Sequence, residues 1–143
     1  MPLKIRRVQV WTGEIPDLLG AAASILERLA RNAIDLEFVF TRPHPTNPEA
    51  GLIFLAPIVG SEQMKIARSV GLTPADEQSI LYLQGPNIPG VGFSIMRELA
   101  IAGVPLQGIS ISAVENLFAA YLAFYNHVDA GKAVQVLAIL DVD

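Results

Sequence analysis

The sequence predicts an α/β chain in which one two-layer sandwich is made twice over. Three observations predict it. First, shifting the chain by 70 residues lays Val10–Leu36 on Ile80–Leu106 without a gap. That shift pairs Pro16 with Pro86, Gly20 with Gly90, Ser24 with Ser94, Ile25 with Ile95, Leu29 with Leu99 and Leu36 with Leu106. Proline and glycine pairing at a single offset is hard to obtain by chance. Second, strand-like runs alternate with runs whose apolar residues recur every third or fourth position. Third, each half orders its elements strand, helix, strand, strand, helix. Right-handed crossovers then place both helices on one face of an antiparallel sheet.

The elements follow in order. Residues 5–14 alternate, with Val8, Val10 and Thr12 set against Gln9 and Trp11, and predict a strand. Residues 18–32 predict a helix, with Leu18, Ala22, Ile25, Leu26 and Leu29 on one stripe and Asp17 placed to cap its first N–H groups. Residues 35–41 are strand-like. Residues 42–51 hold Pro43, Pro45 and Pro48 and predict a loop, because proline cannot sit inside a sheet. Residues 52–58 predict a buried strand. A short helix over 61–70 follows, with Met64, Ile66, Ala67 and Val70 inward.

The second half repeats the order. Residues 79–84 predict a strand, and 90–102 a helix with Ile95, Met96 and Leu99 inward. Residues 106–113 and 117–125 predict strands joined by a turn at Glu115-Asn116, and 129–139 a last helix. Each half is then a ferredoxin-like sandwich. Domains are expected over 1–72 and 79–143, with 73–78 as the linker. Residues 72–74 and 141–143 give only weak signals for a closing strand.

Composition narrows the function. The 143 residues are 52% hydrophobic and 17% charged, more apolar and less charged than the common balance of about 45–50% and about 25%. Such a chain folds on its own core, and its surplus apolar surface points to a partner subunit. It has no cysteine, which excludes disulfides, thiolate metal sites and cysteine catalysis. The net charge is −4, and the one basic cluster is Lys4, Arg6 and Arg7. Neither suits nucleic acid, which needs clustered cations. The apolar runs 52–59 and 117–125 are far shorter than the roughly 20 residues of a membrane span. No signal-peptide pattern precedes residue 5, so a cytoplasmic protein is expected.

The informative segments are the strand-to-helix turns. One reads Gly85-Pro86-Asn87-Ile88-Pro89-Gly90-Val91-Gly92-Phe93-Ser94, the other Glu14-Ile15-Pro16-Asp17-Leu18-Leu19-Gly20-Ala21. A helix N-terminus carries about half a positive charge, and glycine lets a ligand approach its N–H groups. A carboxylate can dock there. The structural alternative makes Asn87 and Asp17 plain caps and Gly90 and Gly20 packing spacers.

Asn87-x-Pro89-Gly90 resembles the Asp/Asn-x-Pro-Gly signature that opens the first helix of ACT domains. The stretch from Ile95 to Leu106 is similar to that family's helix-to-strand passage, as is the stretch from Ile25 to Leu36 behind Asp17-x-x-Gly20. The resemblance covers nearly the whole chain as two copies. It implies a regulatory sensor that binds an amino acid or related small carboxylate at interfaces of paired ACT-like domains. Carried over residue by residue, the ligand contacts are Asn87, Ile88, Pro89, Gly90, Val91 and Gly92, and in the first half Asp17, Leu18, Leu19 and Gly20. Leu19 stands where the family has proline. The resemblance further implies a homodimer and a metabolic enzyme regulated in trans. The alternative is a non-enzymatic dimerisation or interaction module without a metabolite. Whether the turn is open, or plugged by side chains such as Phe93, separates the two.

No other segment carries a comparable signal. Gly90-x-Gly92 lacks the third glycine and the acidic partner of a dinucleotide fingerprint. Gly108-Ile109-Ser110-Ile111-Ser112 lacks the closing glycine of a nucleophile elbow. His44 and His127, the latter beside Asp129, are too few for a metal site. Glu14 and Asp17 fit a strand-end charge and a helix cap better than a carboxylate pair. Tyr121, Phe124 and Tyr125 suit core or dimer packing better than base stacking. No catalytic residue, metal or cofactor is expected, and no nucleic-acid or membrane partner.

Overall fold

The computed structural model describes residues 3–75 and 79–141. The chain divides into two compact units. Gln9–Ala75 forms one, and Met1–Val8 with Asp76–Asp143 forms the other. We call them the inserted unit and the split unit. The first strand, β1 (Lys4–Val8), belongs to the split unit.

The inserted unit runs β2 (Trp11–Ile15), α1 (Gly20–Arg31), β3 (Phe38–Pro43), β4 (Gly51–Ala56), α2 (Gly60–Ser69) and β5 (Thr73–Pro74). Its antiparallel sheet has the order β3-β4-β2-β5. The register Trp11↔Leu55, Gly13↔Ile53 and Ile15↔Gly51 puts Trp11, Ile15, Ile53 and Leu55 on one face. Ala22, Ile25 and Leu29 of α1 and Ala67 of α2 close that face into a core. Full burial of a side chain such as Leu29 stabilises by about 1.5–3 kcal/mol. Arg28 and Arg31 in the last turn of α1 suit its negative dipole end.

The split unit runs β6 (Ser79–Pro86), α3 (Val91–Ala102), β7 (Gly108–Val114), β8 (Leu117–Phe124) and α4 (His127–Ala138). Its sheet has the order β1-β6-β8-β7, so β1 takes the place that β5 holds in the inserted unit. All three pairings are antiparallel. Leu81, Leu83, Phe118, Ala120, Leu122 and Phe124 face the helices. They meet Val91, Ile95 and Leu99 of α3 and Ala130, Ala133 and Leu137 of α4. Asn126 caps α4, its Oδ1 accepting from the Asp129 N–H at 2.8 Å.

The expected element order and the two four-stranded α/β sandwiches are present, and several readings need correction. Residues 5–14 are not one strand. The ladder breaks at Gln9–Val10, and its two parts serve different units. Val10 and Trp11 are both buried, which breaks strict alternation. The expected linker 73–78 contains β5, since Thr73 pairs with Thr12 and Pro74 with Trp11. Residues 76–78, and 142–143 of the weak closing signal, lie outside the described residues. Pro43 ends β3 because an edge strand needs no N–H on its outer side. Met64 and Met96, expected inward, are exposed at 41% and 43%. Their flexible side chains lie on the solvent side of stripes whose inner positions go to Ala67 and to Ile95 and Leu99.

Candidate functional site

The two strand-to-helix turns are built differently. In the split unit β6 ends at Pro86 and α3 starts at Val91. The Asn87 N–H donates to the Asn116 carbonyl at 2.9 Å, tying the turn to the β7–β8 corner. Ile88 packs half-buried on the core, and its carbonyl accepts from the Val91 N–H at 3.3 Å. Gly90 has φ +89°, a left-handed conformation that favours glycine, and its carbonyl accepts the first helical bond from Ser94 at 2.9 Å.

That leaves the N–H groups of Gly92 and Phe93 without an acceptor among the described residues. They sit at the positive end of α3, whose first turn holds no acidic residue. Asn87, Pro89 and Gly90 are exposed, and Val91 is buried as the anchor of the turn. Phe93 is 65% exposed, with the Arg97 guanidinium 5.2 Å from its ring centre, so it does not plug the turn. A Cβ on Gly92 would stand 3.2 Å from Ile111 Cδ1, so β7 flanks this end of α3. Asn87, expected as a cap, makes no side-chain bond to the helix, because the left-handed Gly90 holds the N-cap position.

In the inserted unit α1 starts at Gly20 with Leu19 at the N-cap position. Asp17 does serve the helix, from two residues further back. Its Oδ1 accepts from the Leu19 N–H and the Ala21 N–H, both at 3.1 Å. A carboxylate of the chain therefore already occupies this helix end. Leu18 lies over Gly51, where any Cβ would run into it. Leu19 is 84% exposed in the place expected for proline. Of the ten expected ligand contacts, six surround an open turn and four a filled one.

Other polar groups are spent locally. Glu14 and Asp17 form no pair. Glu14 Oε1 lies 3.2 Å from His44 Nε2, while His44 Nδ1 accepts from the Thr46 N–H at 3.2 Å. Ser79 Oγ lies 2.7 Å from His127 Nδ1, joining the start of β6 to the start of α4. No local pattern announces this link, because the two residues are 48 positions apart. Tyr82 and Tyr121 meet edge-on at 5.2 Å, and Phe124 is buried in the core. Among the described residues no group of three His, Asp or Glu could hold a metal, and no helix is long and apolar enough to cross a membrane.

No family model and no curated protein matches the sequence. Solved structures do match the fold. A protein from Bacteroides thetaiotaomicron superposes with a TM-score of 0.75 at 15% identity, over 93% of this chain and 88% of that one. The ligand-free regulatory subunit of aspartate kinase from Thermus thermophilus superposes with a TM-score of 0.65 at 14% identity, over 98% of each chain. The corresponding subunit from Thermus flavus gives 0.60 at 15% identity, over 96% of this chain and 95% of that one. The chain thus shares the ferredoxin-like fold of these structures, two of which are regulatory subunits.

Proposed function

We propose that this chain is a regulatory, non-enzymatic sensor that binds an amino acid or a related small carboxylate at the turn 86–93. The observation that carries the reading is the pair of unmet N–H groups, Gly92 and Phe93, at an open helix end. A carboxylate there meets the helix dipole and two donors, with Gly90 leaving room for its approach. Pro89 and the buried Val91 hold the turn in place. The ligand's amine would meet Asn87, which is exposed at the rim of the turn. Binding would shift the protein between two packings by its difference in affinity for them, and so act on a metabolic enzyme in trans. The likeness to aspartate kinase regulatory subunits supports this reading.

The inserted unit's turn is not offered as an equal site, since the Asp17 carboxylate already sits there and accepts from the Leu19 and Ala21 N–H groups. A second reading, an interaction module without a metabolite, is favoured by the apolar outer face of α3, where Phe93, Met96 and Ile101 are all exposed.

A thermal-shift screen against the common amino acids at millimolar concentration separates the two. A ligand at about 100 times its Kd adds about 2.7 kcal/mol to the native state. That raises the midpoint of a chain this size by about 5–11 °C. A selective rise with one or two compounds supports the sensor. A flat response across the set favours the interaction module.

A further inference from the structure

The helices cover one face of the split unit's sheet, and the other face carries a different set of side chains. Residues alternate between the two faces of a strand. Leu81, Leu83, Phe118, Ala120 and Leu122 point into the core, so Tyr82, Gln84, Ala119 and Tyr121 lie on the open face. Ile5 of β1 packs on the core, which leaves Lys4 and Arg6 on the open face as well. The register sets these residues in two rows across the four strands. One row is Arg6, Tyr82, Tyr121 and Ser110, the other Lys4, Gln84, Ala119 and Ser112. Lys4, Arg6 and the two serines are exposed, and the rest are half-buried. The Arg6 guanidinium lies 4.3 Å from the Tyr82 ring centre, and Tyr121 meets Tyr82 from the other side of that row. Among the described residues, the four strands place two cations and no carboxylate on this face, in a chain of net charge −4.

We infer that this face binds a nucleoside phosphate, its base stacked on the row of Arg6, Tyr82 and Tyr121 and its phosphate drawn to Lys4 and Arg6. Bases stack on aromatic rings and on guanidinium planes alike. Gln84, whose Oε1 accepts from the Tyr82 hydroxyl at 3.2 Å, and the serine hydroxyls supply donors for the edge of a base. No cation stands near Tyr121 in the sequence, and the fold brings both from the opposite end of the chain. Two cations suit one phosphate group. A strand of nucleic acid needs many more, and the net charge opposes it. A second copy of this face would bring the same cations and no carboxylate to meet them. The inference holds whether or not the turn 86–93 binds an amino acid.

The test is an NMR titration of the full chain with AMP, GMP, CMP and UMP at millimolar concentration. At least one is expected to shift the amides of Tyr82, Gln84, Ala119 and Tyr121. Its nucleoside and inorganic phosphate are each expected to bind more weakly than the nucleotide. Tyr121→Ala is expected to weaken binding about tenfold, within the usual worth of one stacked base, and Tyr121→Phe to keep it. Lys4→Glu changes an exposed position, is expected to weaken binding too, and decides the matter if Tyr121→Ala does not fold. Flat titrations with all four nucleotides overturn the proposal. So do shifts centred on 86–93 instead, or inorganic phosphate that binds as tightly as the nucleotide. Unchanged affinity in folded Tyr121→Ala or in Lys4→Glu overturns it as well. A short single-stranded RNA that binds more tightly than the mononucleotide overturns it in favour of a nucleic-acid partner.

Discussion

Asp17 and Ala21 are joined by a hydrogen bond of 3.1 Å, from the Ala21 N–H to Asp17 Oδ1, and the same oxygen accepts from Leu19. One carboxylate thereby satisfies two donors at the start of α1. In α3 the matching places are Pro89, which has no N–H, and Val91, whose N–H donates to the Ile88 carbonyl at 3.3 Å, while the N–H groups of Gly92 and Phe93 have no acceptor among the described residues. The two repeats keep the same helix start and use it differently.

Asp17→Ala is expected to lower stability by about 1 kcal/mol, the usual cost of losing an N-terminal cap. Chemical denaturation measures it as a lower midpoint with an unchanged slope. Asn87→Ala, at the matching place in the other repeat, is expected to change stability by less than about 0.5 kcal/mol, because its side chain caps nothing.

Gly90→Val places a branched residue at φ +89°. It is expected to cost about 1–2 kcal/mol and to abolish binding of whichever amino acid stabilises the wild type. Calorimetric titration of the folded variant checks this. Unchanged affinity there would move the ligand away from this turn.

Ile95→Ala and Leu29→Ala each empty a fully buried position and are expected to cost about 2–5 kcal/mol. Met96→Ala, one position along α3 and 43% exposed, is expected to cost well under that. Denaturant melts of the three variants report whether α3 is oriented as described.

Deleting residues 1–8 removes a five-residue ladder from β6 and takes Leu3 and Ile5 from the core of the split unit. Amide exchange is expected to accelerate through β6, β8 and α4 while the protected amides of β2 and β4 keep their rates. Equal loss in both units would show that they do not fold separately.

Much of this fold was legible from residue spacing. Ile25 and Leu29 and their repeats Ile95 and Leu99 mark both first helices, and all four are buried. The apolar run 117–125 marks β8, and the structure turns Phe118, Ala120, Leu122 and Phe124 inward. What escaped was long-range. Nothing near residues 4–8 says that their partner is 79–86, because pairing depends on the register of a distant strand rather than on local period. At the site, the motif located both turns, and the backbone decided how they differ. Gly90 takes a left-handed cap position while Asp17 folds back on its own helix, and neither follows from residue type alone.

The split unit has a consequence for synthesis. The ribosome makes β1 before Gln9–Ala75, and only afterwards the strand that β1 joins. Domains tend to fold as units as they emerge. The inserted unit can thus close while β1 still waits, its Lys4, Arg6 and Arg7 keeping an unpaired strand soluble in the interval. The same cations that discourage pairing at the finished edge would then act as a chaperoning device during growth of the chain.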